Sequence, residues 1–442
     1  MTGGAASSSD PRLFALECGG PIFDCAWHPR EQRLFVTAAI NGNADLFDVE
    51  SENQTCLVRR KRHNGAVRCV GFSPKAGDRW ATGSSDCTAL LSDTETSARI
   101  SRTTFEAAVN VLRFVDVSSS SVLGNNDSSQ LLVCGLDDGS LHFLDARTKG
   151  GVVATLAEQE DFVSDLLFLP GKNHLCATSG DGTLGVFDVR KKKLFALSDP
   201  QDDELLSLAL CKDGRKIVCG AQEGDCKIFT VDDYGDCKDR IVLDSGGGSS
   251  VAQRDTLELF GVGTSTSAGG TNKTDGAGAK RGAKSVSSTT AVEKVSTDAL
   301  CNLGNSEEYL LSGGSDGQLR LLGVHSAQHG NRVVARLGLH GEEEMPIEVI
   351  RQSPWSPTTV ASCGHDGRVQ FWDFSNLLAS VCQKGGGALT VSGEGAADSL
   401  LEPEGHALGG KKKKKRKVLD LGATSVRAND TGKNNFWSGL QF

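Results

Sequence analysis

The chain has 442 residues and a formal net charge of −9. Removing the +7 of Lys411–Lys417 leaves −16 on the remainder, an acidic body that argues against a broad nucleic-acid surface and points to protein partners and one basic tail. Its 14 cysteines include no Cys-x-x-Cys pair and no zinc-type His/Cys spacing, so neither a metal nor a cofactor is expected.

Residues 1–10, opening MTGGAASSSD, have no apolar signal region and are expected to be disordered. No run approaches 18 apolar residues, so no membrane contact is expected. A reducing compartment follows, with Cys69, Cys134, Cys176 and Cys219 acting as small buried hydrophobes inside strand-like runs. "RLFALE", Arg12 to Glu17, is the first short alternating run.

From there a unit recurs. An alternating apolar run leads to a second run ending in small residues, then an Asp-Gly-like turn, then a third run closing on an aromatic or Leu and an Asp. "CATSGDGTLGVFDVR" and "ASCGHDGRVQFWDF" show it. The second turn positions are Gly42, Cys87, Gly139, Gly182, Gly224, Gly317 and Gly367, with gaps of 45, 52, 43, 42, 93 and 50 residues. Glycine suits such tight hairpins because it tolerates positive φ. Units of about 40–45 residues with four strands each are the signature of WD-type propeller blades. The chain is therefore expected to be all-β: a seven-bladed WD-repeat β-propeller over 11–380, with a disordered internal loop and a disordered basic C-terminal tail.

The 52-residue gap holds a polar insertion, "VDVSSSSVLGNNDSSQ". The 93-residue gap holds a Gly/Ser/Thr/Ala-rich stretch, 244–297, between blades five and six. It cannot bury enough apolar surface to offset its ordering entropy and is expected to be a loop, not an eighth blade. The last repeat supplies only three strands before the chain turns irregular near Leu377. Arg12–Glu17 is expected to complete the seventh blade, which hides sheet edges that an open array would leave.

His340, Ser362, Asp366 and Trp372 resemble a hydrolase triad with an aromatic neighbour. Their spacing places them at the entry of an inner strand, the end of a second strand, the next turn and the end of a third strand. That is the buried hydrogen-bond chain by which WD repeats tie a blade together. Partial sets are expected in blade two (His63, Ser84, Asp86) and blade four (Thr178, Asp181, with Gln159 replacing His). With no G-x-S-x-G elbow, phosphate loop or metal cluster, no catalytic residue is expected and the chain reads as a non-enzyme.

Arg147 in "LDAR" and Arg190 in "FDVR" lie two residues beyond a blade's terminal Asp, on the narrow-side face. They resemble the W-D-x-R box by which some propellers dock onto the adaptor of cullin-type ubiquitin ligases; the plainer reading is a solvated Arg in a turn. "RRKRH", Arg59 to His63, and "RKKK", Arg190 to Lys193, are expected to be solvated turns on opposite faces. In the tail, 381–442, the block Lys411, Lys412, Lys413, Lys414, Lys415, Arg416 and Lys417 resembles a single-block nuclear import signal that a nuclear import carrier would read, and such a tail also suits RNA contact. Phe436, Trp437, Leu440 and Phe442 near the end read as a short docking peptide.

Blades four and five, the "LLSGGSDGQLR" and "ASCGHDGRVQFWDF" segments, and the basic tail followed by "FWSGL" together resemble the WD repeat-containing protein 55 family with its yeast Jip-type relatives. The 244–297 stretch departs from that pattern. The resemblance implies a nuclear, mainly nucleolar scaffold supporting ribosomal RNA processing and ribosome biogenesis through protein binding. Its partners would be ribosome-assembly factors, the propeller itself being monomeric within larger complexes. Some such proteins serve as substrate receptors of cullin-type ligases, which is the alternative implied for this chain.

Overall fold

The computed structural model describes residues 10–51, 54–117, 129–146, 151–169, 171–243, 294–304, 308–326 and 329–383. More than half of them lie in seven antiparallel four-stranded sheets. Blade one runs through Ile22–Trp27, Leu34–Ala39, Asn43–Asp48 and Thr55–Lys61, and blades two to six repeat the same up-and-down order. The first strand of each blade packs on the first strand of the next, and that of blade seven, Ile347–Gln352, packs on that of blade one. The ring is closed.

Within a blade the middle strands are buried on both faces. Leu34–Ala39 and His174–Ser179 are buried throughout. The fourth, outer strands alternate, as in Lys193–Leu197, where every second residue faces solvent. The core lies between blades: Phe35 and Phe47 of blade one pack with Ala361 and Phe371 of blade seven in one cluster.

All seven expected turn positions have left-handed backbone, from φ 61° at Cys87 to φ 89° at Gly224. In six turns an Asp or Asn side chain accepts the N–H two residues on, as from Asp181 to Thr183 (2.8 Å) and Asp316 to Gln318 (3.1 Å). That bond is the reason for Asp or Asn before the turn residue. Glycine is required twice over at Gly139 and Gly317. A Cβ there would come within 2.3 Å of the Gln159 carbonyl oxygen and 2.5 Å of that of Met345. The turn thus touches the linker that enters the next blade.

Arg12–Glu17 is the outer strand of blade seven. It pairs antiparallel with Arg368–Asp373, from Arg12 opposite Trp372 to Glu17 opposite Arg368. Val109–Val117 and Ser129–Leu136 pair up to Val117 and Ser129, so both ends of the polar insertion belong to strands and 118–128 lies outside the described residues.

Three expectations need correction. Lys294–Thr297 is not part of the insertion: Val295, Ser296 and Thr297 are buried. The Thr297 N–H donates to Ala221 O (3.0 Å) and the Ser207 hydroxyl donates to Thr297 O (2.9 Å). The chain after Asp373 is not irregular but forms the helix Ser375–Gln383, which crosses the expected boundary at 380. Asp373 caps it by accepting the Ser375 N–H (2.9 Å), and Leu377 and Val381 pack with Trp372 and Phe374. Finally, "RRKRH" is not a turn. Arg59 and Arg60 lie in the strand Thr55–Lys61, Arg62 stacks over Trp80 at 4.2 Å, and His63 is buried. The first nine residues, 244–293 and 384–442 lie outside the described residues, and with them the disorder expected for the N-terminus, the insertion and the tail.

Candidate functional site

The expected four-residue set of blade seven meets in space. His340 Nδ1 lies 2.7 Å from Ser362 Oγ, His340 Nε2 lies 3.2 Å from Asp366 Oδ1, and Trp372 Nε1 donates to Ser362 Oγ at 2.8 Å. Ser362 is 0% exposed, so its hydroxyl offers no surface to a substrate. Burial works against the Asp366 carboxylate, but His340 and Arg368 hold it below the usual range. The chain joins the linker, second strand, turn and third strand of one blade.

The partial sets differ from expectation by position. In blade two, His63 Nε2 bonds Thr82 Oγ1 (2.8 Å), not Ser84, while its Nδ1 faces Asp86 (3.2 Å) and Thr88 (3.1 Å). Ser84 instead accepts the Asp86 N–H (3.1 Å). In blade four, Gln159 donates to Ala177 O (3.3 Å) and Thr183 Oγ1 (3.3 Å), and Thr178 bonds Ser164 (2.8 Å). The serine-equivalent position lies four residues before the turn Asp; the expected Ser84 and Thr178 sit two and three before it.

Of the docking candidates, Arg190 is exposed at the turn after Leu184–Asp188, its N–H held by Asp188 Oδ1 at 3.0 Å. Arg147, Lys411–Lys417, Phe436, Trp437, Leu440 and Phe442 lie outside the described residues.

The central channel holds a cavity of about 590 Å³, to which the sequence assigned no residues. In six blades the register of the first strand shifts at its second residue, leaving Phe23, Arg68, Asn110, Ser164, Leu206 and Glu348 out of the ladder. These bulge residues, with Asp298 just ahead of Ala299–Asn302, line the channel one per blade. Bulges re-aim side chains in this way. The turn residues Asp137, Gln222, Ser315 and His365 line it too, so the cavity opens on the face that carries the Asp-Gly turns.

The channel has two charge regimes. Towards the middle of the first strands, Asp24 pairs with Arg351 (2.8 Å) and Asp165 with Arg113 (3.5 Å). Asp24 Oδ2 also accepts the Val70 N–H (3.0 Å) and Asp165 Oδ2 the Leu208 N–H (2.9 Å), each from the following blade. Burial alone would depress Arg351, but Asp24 and Asp165 hold its guanidinium well above the ordinary range. At the mouth, Arg68 pairs with Asp137 (3.3 Å), and His365 Nε2 lies 2.7 Å from Glu348 Oε1. Asp298 accepts the Ser296 hydroxyl (2.8 Å) and has no ion-pair partner among the described residues. Burial, reinforced by Glu348, pushes Asp298 up to about 6 and Glu348 also upward.

No family model matches the chain. It is 28% identical to WD repeat-containing protein 55 of Bos taurus over 376 residues, 84% of this chain and 78% of that protein. It is 26% identical to WD repeat-containing protein 55 of Arabidopsis thaliana over 366 residues, 82% of this chain and 83% of that one. It is 31% identical to WD repeat-containing protein JIP5 of Coprinopsis cinerea over 233 residues, 51% of this chain and 53% of that protein. The chain is a WD-repeat β-propeller homologous, over most of its length, to WD repeat-containing protein 55, with the fungal JIP5 proteins as further relatives.

Proposed function

We propose that the protein is a non-enzymatic scaffold of the nucleus, concentrated in the nucleolus, that supports ribosomal RNA processing by holding ribosome-assembly proteins. The observation that carries the reading is the match to WD repeat-containing protein 55 across more than four fifths of the chain. The block Lys411–Lys417 supports nuclear delivery, since an extended run of seven cations suits the acidic grooves of an import carrier. Rigid rings serve such a role because turns and linkers on both faces present side chains without a folding cost on binding.

One experiment tests both parts. Cells depleted of the protein are expected to accumulate unprocessed precursor ribosomal RNA, and the intact chain to restore processing. A chain lacking Lys411–Lys417 is expected to stay largely cytoplasmic and restore it poorly. Normal precursors after depletion overturn the processing role, and unchanged nuclear accumulation of the deleted chain overturns the import role.

A second reading, a substrate receptor of a cullin-type ligase, is favoured by the exposed Arg190 at a turn whose backbone Asp188 fixes. On that reading Arg190→Ala combined with Arg147→Ala reduces adaptor pull-down at least tenfold. Undiminished capture rejects these two residues as the docking box.

A further inference from the structure

The mouth of the channel carries an unequal charge. Deeper in, the carboxylates of Asp24 and Asp165 are matched by Arg351 and Arg113. At the rim Asp137 is matched by Arg68, while Glu348 Oε1 has the His365 ring 2.7 Å away. Among the described residues Asp298 has the Ser296 hydroxyl and no ion-pair partner. It sits in a cavity of about 590 Å³, a size that holds a few residues of extended peptide. Phe23 lines the same side, its ring 5.9 Å from the His365 ring, which in turn touches Glu348. A carboxylate, a second carboxylate with a displaceable partner, and an aromatic face together make a receptor for a planar cation. The same carboxylates oppose a phosphate backbone, which disfavours RNA at this face.

We infer that the channel mouth binds the arginine side chain of an extended peptide from a partner protein, with Asp298 and Glu348 as its anionic receptor and Phe23 as its apolar wall. This rests on the scaffold reading and specifies its binding face. Asp298 is held charged at a cost to the fold. Its pKa, about 6, lies above the ordinary 3.8 because it is half-buried and partly desolvated and faces Glu348 and Asp316, with the Ser296 hydroxyl and His365 only partly offsetting them. The protonated carboxyl therefore contributes stability below pH 4, and that contribution is lost as pH rises through 6. A cation seated in the cavity against Asp298 would relieve the cost of its ionisation.

The test uses the full chain and fluorescein-labelled heptapeptides with one central arginine, or citrulline in its place. The arginine peptide is expected to bind at least fivefold more tightly than the citrulline peptide at pH 7.5, and to weaken below pH 6. Asp298→Asn is expected to weaken the arginine peptide at least tenfold while raising the thermal midpoint at pH 7.5 by about 2 °C or more, a gain that vanishes below pH 4. Glu348→Gln is expected to weaken it several-fold. Equal binding of the two peptides, or unchanged binding by Asp298→Asn, overturns the proposal. Binding that emerges only after Lys411–Lys417 are neutralised also overturns it, because the occupant is then the chain's own tail. A failure here leaves the precursor-RNA result standing, and the reverse holds equally.

Discussion

A chain beginning at Cys18, without residues 1–17, is expected to lose its cooperative unfolding transition and to aggregate. Arg12–Glu17 is the outer strand of blade seven, with five register pairs to Arg368–Asp373. Phe14 stacks on Phe371 at 4.4 Å, and Leu16 is 3% exposed. Arg12 lies 5.4 Å over the Trp372 ring and donates to Leu339 O at 2.9 Å. Burying Leu16 is worth about 2 kcal/mol, and each ladder bond about 1 kcal/mol net. Their sum, of order 5 kcal/mol or more, rivals the whole stability of many domains. The deletion also bares the long edge of Arg368–Asp373 to edge-to-edge pairing. Thermal melting followed by circular dichroism, with light scattering, reads both effects. A soluble shortened chain that melts within a few degrees of the intact one would show that closure does not depend on this strand. Supplying the strand as a separate peptide is expected to restore part of the transition.

The second large effect lies in the channel. Asp24→Ala is expected to cost about 3–5 kcal/mol, because it strands the Arg351 guanidinium in the ring interior. It also removes the acceptor of the Cys25 N–H (2.9 Å) and the Val70 N–H (3.0 Å), the latter a tie from blade one to blade two. Arg351→Met is expected to cost less, since Asp24 keeps both N–H partners. The double variant is expected to be more stable than the sum of the two losses, with a coupling of about 1–3 kcal/mol from urea melts. Strictly additive losses would mean that the pair carries no energy beyond its separate parts.

The two effects differ in origin. The first arises from chain topology, which brings residues more than 350 positions apart into one sheet. The second arises from a buried pair whose separated members each cost more than the pair contributes.

Much of the fold is legible in the residues because turn chemistry is local. Each Asp-Gly-like pair announces a left-handed turn, and the turns recur at blade spacing. The same logic identifies Arg12–Glu17 as the missing strand, since a three-stranded last blade leaves an edge to cover. The blade-seven set His340, Ser362, Asp366 and Trp372 is legible because its spacing follows the strands. The partial sets fail where counting starts from the wrong anchor. The turn Asp sets the register, so Thr82 and not Ser84 faces His63. The helix Ser375–Gln383 also had a signal, the i, i+4 pair Leu377 and Val381, but nine residues give too short a period to stand out against strand-like neighbours.

What the sequence by itself determined is the repeat count, the turn positions, the closing strand and the basic tail. The turns and the tail depend on backbone conformations and charges that each short segment specifies alone, and the closing strand follows from the count of strands in the last blade. What only the tertiary structure decided is the channel: which residue of six first strands leaves the ladder, and that the bulge residues Phe23 and Glu348 share one mouth with Asp298. It likewise decided that Lys294–Thr297 belongs to the ring. These residues come from different blades and have no common local pattern. Their proximity follows from closing seven sheets around one axis, where each side chain's neighbours are set by the bulges and by the burial of the faces between blades.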